Sequence, residues 1–112
     1  MSAIAKFDYG QMTDAQLVAG VVNRDMAAAE EVTSRNNQRL VRIAFGILKN
    51  RTEAEDAVQS AYLNAFAAMA GFDGRASLST WLTRIMINEA LRRARAAAAR
   101  NAALDEASGT VI

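Results

Sequence analysis

The sequence of 112 residues contains no cysteine, no histidine and no proline. Without cysteine, the chain forms neither disulfides nor thiolate metal sites. Without histidine, it lacks the commonest general base, metal ligand and proton carrier of enzymes. The usual hydrolytic triads and zinc centres are therefore excluded, and we expect a protein that is not an enzyme and has no catalytic residues, metal or cofactor.

Long apolar runs are also missing. No stretch approaches the roughly 20 residues needed to cross a bilayer, and the amino terminus lacks the charged-then-apolar pattern of a signal peptide. We therefore expect a cytoplasmic protein without membrane insertion. Residues that favour helices are abundant and no proline interrupts them, so we predict an all-α fold, a compact bundle of about four helices.

The net charge of +1 conceals an uneven distribution of charged residues. Between Arg75 and Arg100 there are six arginines and one acidic residue, Glu89, whereas residues 1–74 hold seven basic and nine acidic residues. Positive charge is thus gathered on one element, and its distribution is a better guide to nucleic-acid binding than the net sum.

Capping signals predict where the first three helices begin. A capping box at residues 13–16 begins a short first helix, and Asp25 can cap a long second helix that runs to about Leu48. A second capping box at residues 52–55 begins a third helix that ends near Ala70. After two glycines, Ser77 or Ser79 can cap a fourth helix, which we expect to continue to about residue 100.

The third helix has two unlike sides when its residues are placed at about 100° intervals. The apolar side, which we assign to the core, carries Val58, Tyr62, Ala65, Phe66 and Met69. The opposite side carries Asp56, Gln59, Ser60 and Leu63. A large apolar residue such as Leu63 on an outward side suits a partner helix. The alternative is a solvated face with one isolated leucine.

The fourth helix carries Arg84, Asn88, Arg92 and Arg95 at spacings that form one stripe. Arginine matches phosphate oxygens and stacks on bases, and asparagine hydrogen-bonds base edges or sugars. The alternative is a solubilising face, although the scarcity of acids nearby disfavours it. Trp81, one turn from Arg84, is either a platform for an unpaired base or, as its spacing favours, a core residue between its apolar neighbours.

Two further features leave their alternatives open. On the second helix Arg35, Gln38, Arg39 and Arg42 share one side, which by itself is a polar helix face. The loop over residues 71–76 contains two glycines that free the backbone to approach a ligand. Its alternative is an ordinary helix connection with a glycine cap at Gly71.

Three segments, in order, resemble the extracytoplasmic-function family of bacterial sigma factors. Residues 53–66 (EAEDAVQSAYLNAF) are similar to the AEDxVQExFLxAF run of that family. Residues 72–91 (FDGRASLSTWLTRIMINEAL) are similar to its FxG…SxSTWLxRIxxNxAL stretch, and residues 37–44 (NQRLVRIA) to its PRLxRxA segment. The match extends over roughly residues 14–95, and three motifs in the family's order are far more specific than one.

The resemblance implies the sigma region 2 domain, which binds the clamp helices of the β′ subunit of core RNA polymerase and melts the promoter minus-ten element. It implies that DNA is bound mainly as the single-stranded non-template strand, and that an anti-sigma factor inhibits the protein. The implied polymerase contacts are Arg39, Arg42, Asp56, Gln59, Ser60 and Leu63. The implied DNA contacts are the base-capturing loop residues Phe72, Asp73, Gly74, Arg75 and Ala76, with Arg84, Asn88, Arg92 and Arg95.

The sequence departs from the family pattern in places. Ser60 stands where an acid is usual, and Asn36 and Asn37 lie near the place of a usual aromatic residue. We expect a flexible lead-in over residues 1–12, the helical domain over 13–100 and a linker or tail over 101–112. The family's second domain, which reads the distal promoter element, is then absent. The rival hypothesis is a helical protein-binding adaptor with no role on DNA.

Overall fold

The computed structural model describes residues 8–108, in which four α-helices follow one another along the chain. These are α1 (Asp14–Val22), α2 (Met26–Leu48), α3 (Arg51–Ala68) and α4 (Leu78–Ala107). Short 3-10 turns lie at Tyr9–Gln11 and Met69–Gly71, and the described residues contain no strand. The predicted all-α bundle of about four helices is confirmed.

Side chains predicted to cap helices do so at three of the four starts. Thr13 and Gln16 form a reciprocal capping box at α1, and Asp25 accepts a hydrogen bond from the backbone N–H of Ala27 at α2. Of the two serines considered for α4, Ser77 caps the helix through the backbone N–H of Thr80. These caps satisfy backbone donors that have no partner within the helix.

The start of α3 differs from the prediction, which put a capping box at residues 52–55. The helix begins at Arg51, and the Asn50 side chain accepts a hydrogen bond from the Glu53 backbone N–H at 2.9 Å. Lys49 ends α2 in the left-handed conformation, with φ of 58°, and the cap of α3 at Asn50 comes two residues before the predicted cap at Thr52. Asparagine caps helices at least as well as threonine. Asn50, which directly follows the reversal at Lys49, is therefore the residue that caps α3.

The bundle is built around α2, which packs against each of the other three helices. Its core contains large residues from every helix, among them Leu17, Leu40, Tyr62, Leu82 and Met86. Buried alanines lie between them and let the helices approach closely. At the α1–α2 contact, a Cβ on Gly20 would lie 2.6 Å from the Cβ of Ala28, so only glycine fits there.

Residues at both ends of the described range contact the helices or extend them. Residues 1–7 lie outside the described residues, but Arg35 donates hydrogen bonds to the backbone carbonyls of Tyr9, Gly10 and Met12 at 3.0, 3.1 and 3.0 Å. The segment leading into α1 is therefore held on α2. At the other end, α4 continues beyond Arg100 to Ala107, because residues 101–107 contain helix-forming residues and no glycine or proline.

The remaining tail, residues 109–112, lies outside the described residues. Among residues 8–108, no helix has the combination of length and apolar character that a membrane span requires.

Candidate nucleic-acid and partner interface

The outward side of α3 is exposed as its periodicity predicts. Asp56 and Gln59 are exposed, and 71% of the Leu63 surface is accessible, among the largest values for any apolar side chain of the described residues. On the opposite side Val58 and Tyr62 are buried in the core. An exposed leucine flanked by polar residues is a surface that a partner helix can cover without disturbing the fold.

Ser60 differs from its neighbours on this side because it is only half-exposed. Its hydroxyl oxygen accepts a hydrogen bond from Nη2 of Arg93 on α4 at 2.9 Å. Ser60 therefore joins α3 to α4, at the edge of the outward side.

Two arginines on the basic side of α2 differ in their contacts within the domain. Arg39 donates to Oγ1 of Thr83 at 3.1 Å, to the Ser79 carbonyl at 3.1 Å and to Oδ1 of Asn36 at 2.7 Å. Its guanidinium group is thus a tie between α2 and the first turns of α4. Arg42, in contrast, is exposed and makes no side-chain hydrogen bond or ion pair with the described residues.

Asn36 explains how a polar residue occupies a buried position of α2. Its side chain is 4% exposed; Nδ2 donates to the Val32 carbonyl at 2.7 Å, and Oδ1 accepts from Arg39. Both ends of the carboxamide are therefore satisfied, as buried polar groups require.

The predicted stripe on α4 lies on its exposed side. Arg84, Asn88 and Arg95 are exposed, and their side chains make no hydrogen bond within residues 8–108. Arg92 is also largely exposed, but its Nη2 lies 2.7 Å from Oε2 of Glu89. The stripe therefore offers four donor side chains on one side of a helix, an arrangement suited to the regularly spaced phosphates of nucleic acid.

Glu89 is the buried acid beneath this stripe, with a side chain 4% exposed. Its Oε2 accepts from Arg92 and from Nε of Arg93, each at 2.7 Å. Burial alone would raise the pKa of the Glu89 carboxyl, but the hydrogen bonds and charges of Arg93 and Arg92 outweigh it and hold the pKa below its usual range. Glu89 is therefore a carboxylate at neutral pH.

The loop between α3 and α4 combines an open turn with an aromatic pair. Gly74 has φ of 79°, which favours glycine, and a Cβ placed there would meet no atom within 4 Å. Exposed Asp73 and Arg75 flank it, with 3.3 Å between their charged atoms. Gly74, and not Gly71, takes the left-handed conformation.

Phe72, at the start of this loop, is half-buried against the core, and Ala76 at its end is partly buried. The Phe72 ring meets that of Trp81 edge to face, with 5.5 Å between the ring centroids and 74° between the planes. Trp81 packs against the core, as its spacing favours, while part of its ring stays accessible.

The outward side of α3 is joined to α4 by the bond from Arg93 to Ser60, and the stripe of α4 borders a groove between the two helices. It is lined by Asn64 of α3 and by Ile85, Asn88, Glu89 and Arg92 of α4. Two surfaces that the sequence predicts separately are thus neighbours in the fold.

Two residues that connect α3 with the stripe, Glu89 and Arg93, were not among the predicted contacts. Glu89 and Arg93 are four residues apart and Glu89 and Arg92 three apart, which are the spacings of helix ion pairs. That spacing is visible in the sequence, whereas the bond from Arg93 to Ser60 depends on how α3 and α4 pack.

Comparison with known proteins identifies the family of the chain. Residues 32–100 match the family model described as sigma-70 region 2. The ECF RNA polymerase sigma factor SigM of Mycobacterium tuberculosis is 35% identical over 89 residues, which are 80% of this chain and 45% of that protein. The RNA polymerase sigma-H factor of Pseudomonas aeruginosa is 31% identical over 80 residues, 71% of this chain and 42% of that protein.

The ECF RNA polymerase sigma factor SigW of Bacillus subtilis is 31% identical over 71 residues, 63% of this chain and 38% of that protein. The chain spans less than half the length of each of these relatives. No solved structure matches it. The resemblance predicted from the three motifs is confirmed, and the chain belongs to the sigma-70 region 2 family.

Proposed function

We propose that this chain binds core RNA polymerase and recognises and melts the promoter minus-ten element for transcription initiation. The observation that carries the proposal is that an exposed partner surface on α3 and an arginine stripe on α4 lie on packed helices, which the hydrogen bond from Arg93 to Ser60 joins. A protein that holds unpaired DNA against polymerase needs these two surfaces side by side. The mechanism needs binding energy and no catalytic group.

The arginine stripe supports the DNA half of the proposal. Arg84 and Arg95 have no partner among residues 8–108, so both guanidinium groups are available to phosphate oxygens. Such contacts supply affinity that does not depend on sequence, and Asn88 between them can donate to a sugar or a base edge.

The loop supports the capture of one extruded base. Unstacking a base costs a few kcal/mol, which stacking and hydrogen bonds in a pocket offset. Gly74 keeps the turn open, Asp73 and Arg75 offer an acceptor and a donor, and Phe72 and Trp81 form an aromatic wall beside them. We assign base selection to this loop and backbone binding to the stripe.

The outward side of α3 supports the polymerase half. Asp56, Gln59 and Leu63 are accessible together, and we propose that they pack on the clamp helices of the β′ subunit. Arg42 is available to extend this surface. For Arg39 and Ser60 the bonds within the domain favour an indirect part, in which they fix the helices that carry the contacts.

The wider role rests on the relatives, whose names describe them as RNA polymerase sigma factors. We propose the same role for the protein that carries this domain, acting in the cytoplasm under the control of an anti-sigma factor.

Capture by core RNA polymerase tests the partner surface. We expect Leu63→Asp to weaken capture strongly while helicity is kept, because the side chain contacts solvent and not the core. Leu104→Asp is the matched control, since Leu104 is 65% exposed but lies near the end of α4. Equal capture of the two variants and the parent would remove the assignment.

Fluorescence anisotropy with single-stranded promoter DNA across a salt series, with polymerase present, tests the DNA surface. We expect Arg84→Ala and Arg95→Ala each to weaken binding to all sequences and to lower the log–log salt slope by about 0.7. Arg51→Ala, an exposed arginine on α3, is the control. Asp73→Ala and Arg75→Ala should instead change which base is preferred at one position.

If the stripe variants change base preference and the loop variants change only overall affinity, the assignments of backbone binding and base selection must be exchanged. If polymerase is captured but no variant changes DNA binding, the adaptor hypothesis is preferred.

A further inference from the structure

α4 contains a buried acidic residue next to the proposed DNA-binding surface, where a negative charge is electrostatically unfavourable. Glu89 is the single acidic residue between Arg75 and Arg100, and it lies directly beneath the arginine stripe. A negative charge at that point repels phosphates and lowers the affinity for nucleic acid. Glu89 therefore favours DNA binding only if one of its interactions makes a contribution larger than this repulsion.

The hydrogen bonds of Glu89 indicate that contribution. One carboxylate oxygen, Oε2, accepts hydrogen bonds from Arg92 and Arg93 at 2.7 Å each. The same atom therefore holds two neighbouring guanidinium groups. A free arginine side chain loses rotamer freedom when it binds a phosphate, and an arginine already fixed loses less. Arg92 is held through Nη2 of its guanidinium group, while most of its side chain remains exposed.

The second arginine, Arg93, connects Glu89 to α3. Arg93 donates to Oγ of Ser60 at 2.9 Å and lies 3.9 Å from Oε1 of Glu53, both on α3. The chain of contacts from Arg92 through Glu89 and Arg93 to Ser60 thus runs from the stripe to the edge of the outward side of α3. Glu89 and Arg92 of this chain of contacts also line the groove between α3 and α4.

We infer that Glu89 is a positioning residue for DNA binding: its carboxylate holds Arg92 ready for the phosphate backbone and, through Arg93, fixes α4 against the polymerase-binding helix α3. The inference rests on the proposed function, because Arg92 is taken as a backbone contact. It adds to that function a residue that touches neither DNA nor polymerase.

Two substitutions separate positioning from charge. Glu89→Gln removes the charge but keeps a carbonyl oxygen as acceptor, whereas Glu89→Met removes both and keeps a similar volume. If Glu89 acts only through its charge, both variants bind single-stranded DNA more tightly than the parent and to the same extent. If it positions Arg92, we expect Glu89→Met to bind about two- to tenfold more weakly than Glu89→Gln, the cost of immobilising one long side chain.

The decisive measurement repeats this comparison in the Arg92→Ala background, with the full chain, core polymerase and fluorescence anisotropy. With Arg92 absent, the difference between Gln and Met at position 89 should vanish, because a positioning residue has nothing left to position. A difference of the same size in both backgrounds would mean that Glu89 acts on the fold alone, and would overturn the inference.

Glu89→Asp covers the case in which the methionine variant does not fold. It keeps the charge but is shorter by one methylene group, so its carboxylate cannot reach both arginines from the same place. We expect weaker DNA binding that Arg92→Ala again masks, whereas parental affinity would overturn the inference.

Arg84→Ala separates this inference from the proposed function. Weaker binding of Arg84→Ala and Arg92→Ala without any effect of the Glu89 variants removes only the positioning role. No effect of either arginine removes the DNA surface itself, and the positioning role with it.

Discussion

Oδ2 of Asp14, in the first turn of α1, accepts a hydrogen bond from the backbone N–H of Leu78, the first residue of α4, at 2.9 Å. The two residues are 64 positions apart in the sequence. Ser77 already caps α4 through Thr80, so Asp14 satisfies a second backbone donor at the same helix end. The shortest helix of the domain thereby holds the start of the longest one, immediately after the candidate base-capturing loop.

Removing this bond should destabilise the fold. We expect Asp14→Ala to lower the free energy of unfolding by about 1 kcal/mol, the usual cost of a lost cap. Asp14→Asn keeps an oxygen acceptor and should lose less. Urea denaturation followed by circular dichroism measures both, and Asp56→Ala, whose side chain is exposed and makes no hydrogen bond among the described residues, is the control. Equal stability of Asp14→Ala and Asp56→Ala would contradict the assignment.

Two helical glycines should respond in opposite directions to the same change. Gly20→Ala would place a Cβ 2.6 Å from that of Ala28, and we expect a loss of about 1–3 kcal/mol from overpacking. Gly46→Ala meets nothing within 4 Å, and we expect a gain of about 0.5–1 kcal/mol because alanine favours the helix. Thermal and urea denaturation of the pair measure this. Similar shifts for both would mean that the α1–α2 contact is looser than described.

Trp81 allows its two interpretations to be distinguished. Because it packs against the core and the ring of Phe72, we expect Trp81→Ala to lower the free energy of unfolding by about 3 kcal/mol, the lower end of the range for aromatic truncations. Trp81→Phe should lose less. If Trp81→Ala melts like the parent but binds single-stranded DNA more weakly, the ring is a stacking platform and not a core residue.

The lowered pKa of Glu89 predicts how stability depends on pH. The carboxyl titrates near 4.5 when unperturbed and below that value in the fold, held there by Arg93 and Arg92 against the effect of burial. Its contribution to stability is therefore complete above about pH 4.5 and is lost as the pH falls through the lower folded value. Glu53, which also faces Arg93 from α3, adds a weaker and more exposed interaction.

The comparison of the parent with Glu89→Gln measures this contribution. We expect the parent to be the more stable of the two at neutral pH and the difference to shrink below about pH 4.5. Denaturation curves at a series of pH values supply the measurement. A difference that stays constant down to pH 3, in about the range where exposed acids have already titrated, would show that ionisation of Glu89 contributes nothing.

Much of the helical architecture could be predicted because its determinants are local. The capping box at Thr13, the cap at Asp25 and the apolar side of α3 depend only on residues within a few positions of one another. The predicted cap of α3 at Thr52 was wrong because Asn50 is also a good cap, and the reversal at Lys49 decides between the two.

The contacts between helices could not be predicted from local sequence patterns. An arginine on a polar helix face reaches solvent, a phosphate or another helix, and its spacing is the same in all three cases. Arg39 and Arg42 share one side of α2, yet only Arg39 has Ser79 and Thr83 within reach. The same holds for Ser60, whose partner Arg93 comes from another helix.

The tie made by Arg39 has a consequence for genetics. On the proposed function, a screen for alleles that fail to bind polymerase should recover changes at Arg39 together with changes at Leu63, although of the two only Leu63 is exposed for direct contact. Alleles at Arg39 lose its hydrogen bonds from α2 to α4, so they should be temperature-sensitive and suppressed by a general stabiliser such as Gly46→Ala. Alleles at Leu63 should be insensitive to temperature and unaffected by that suppressor.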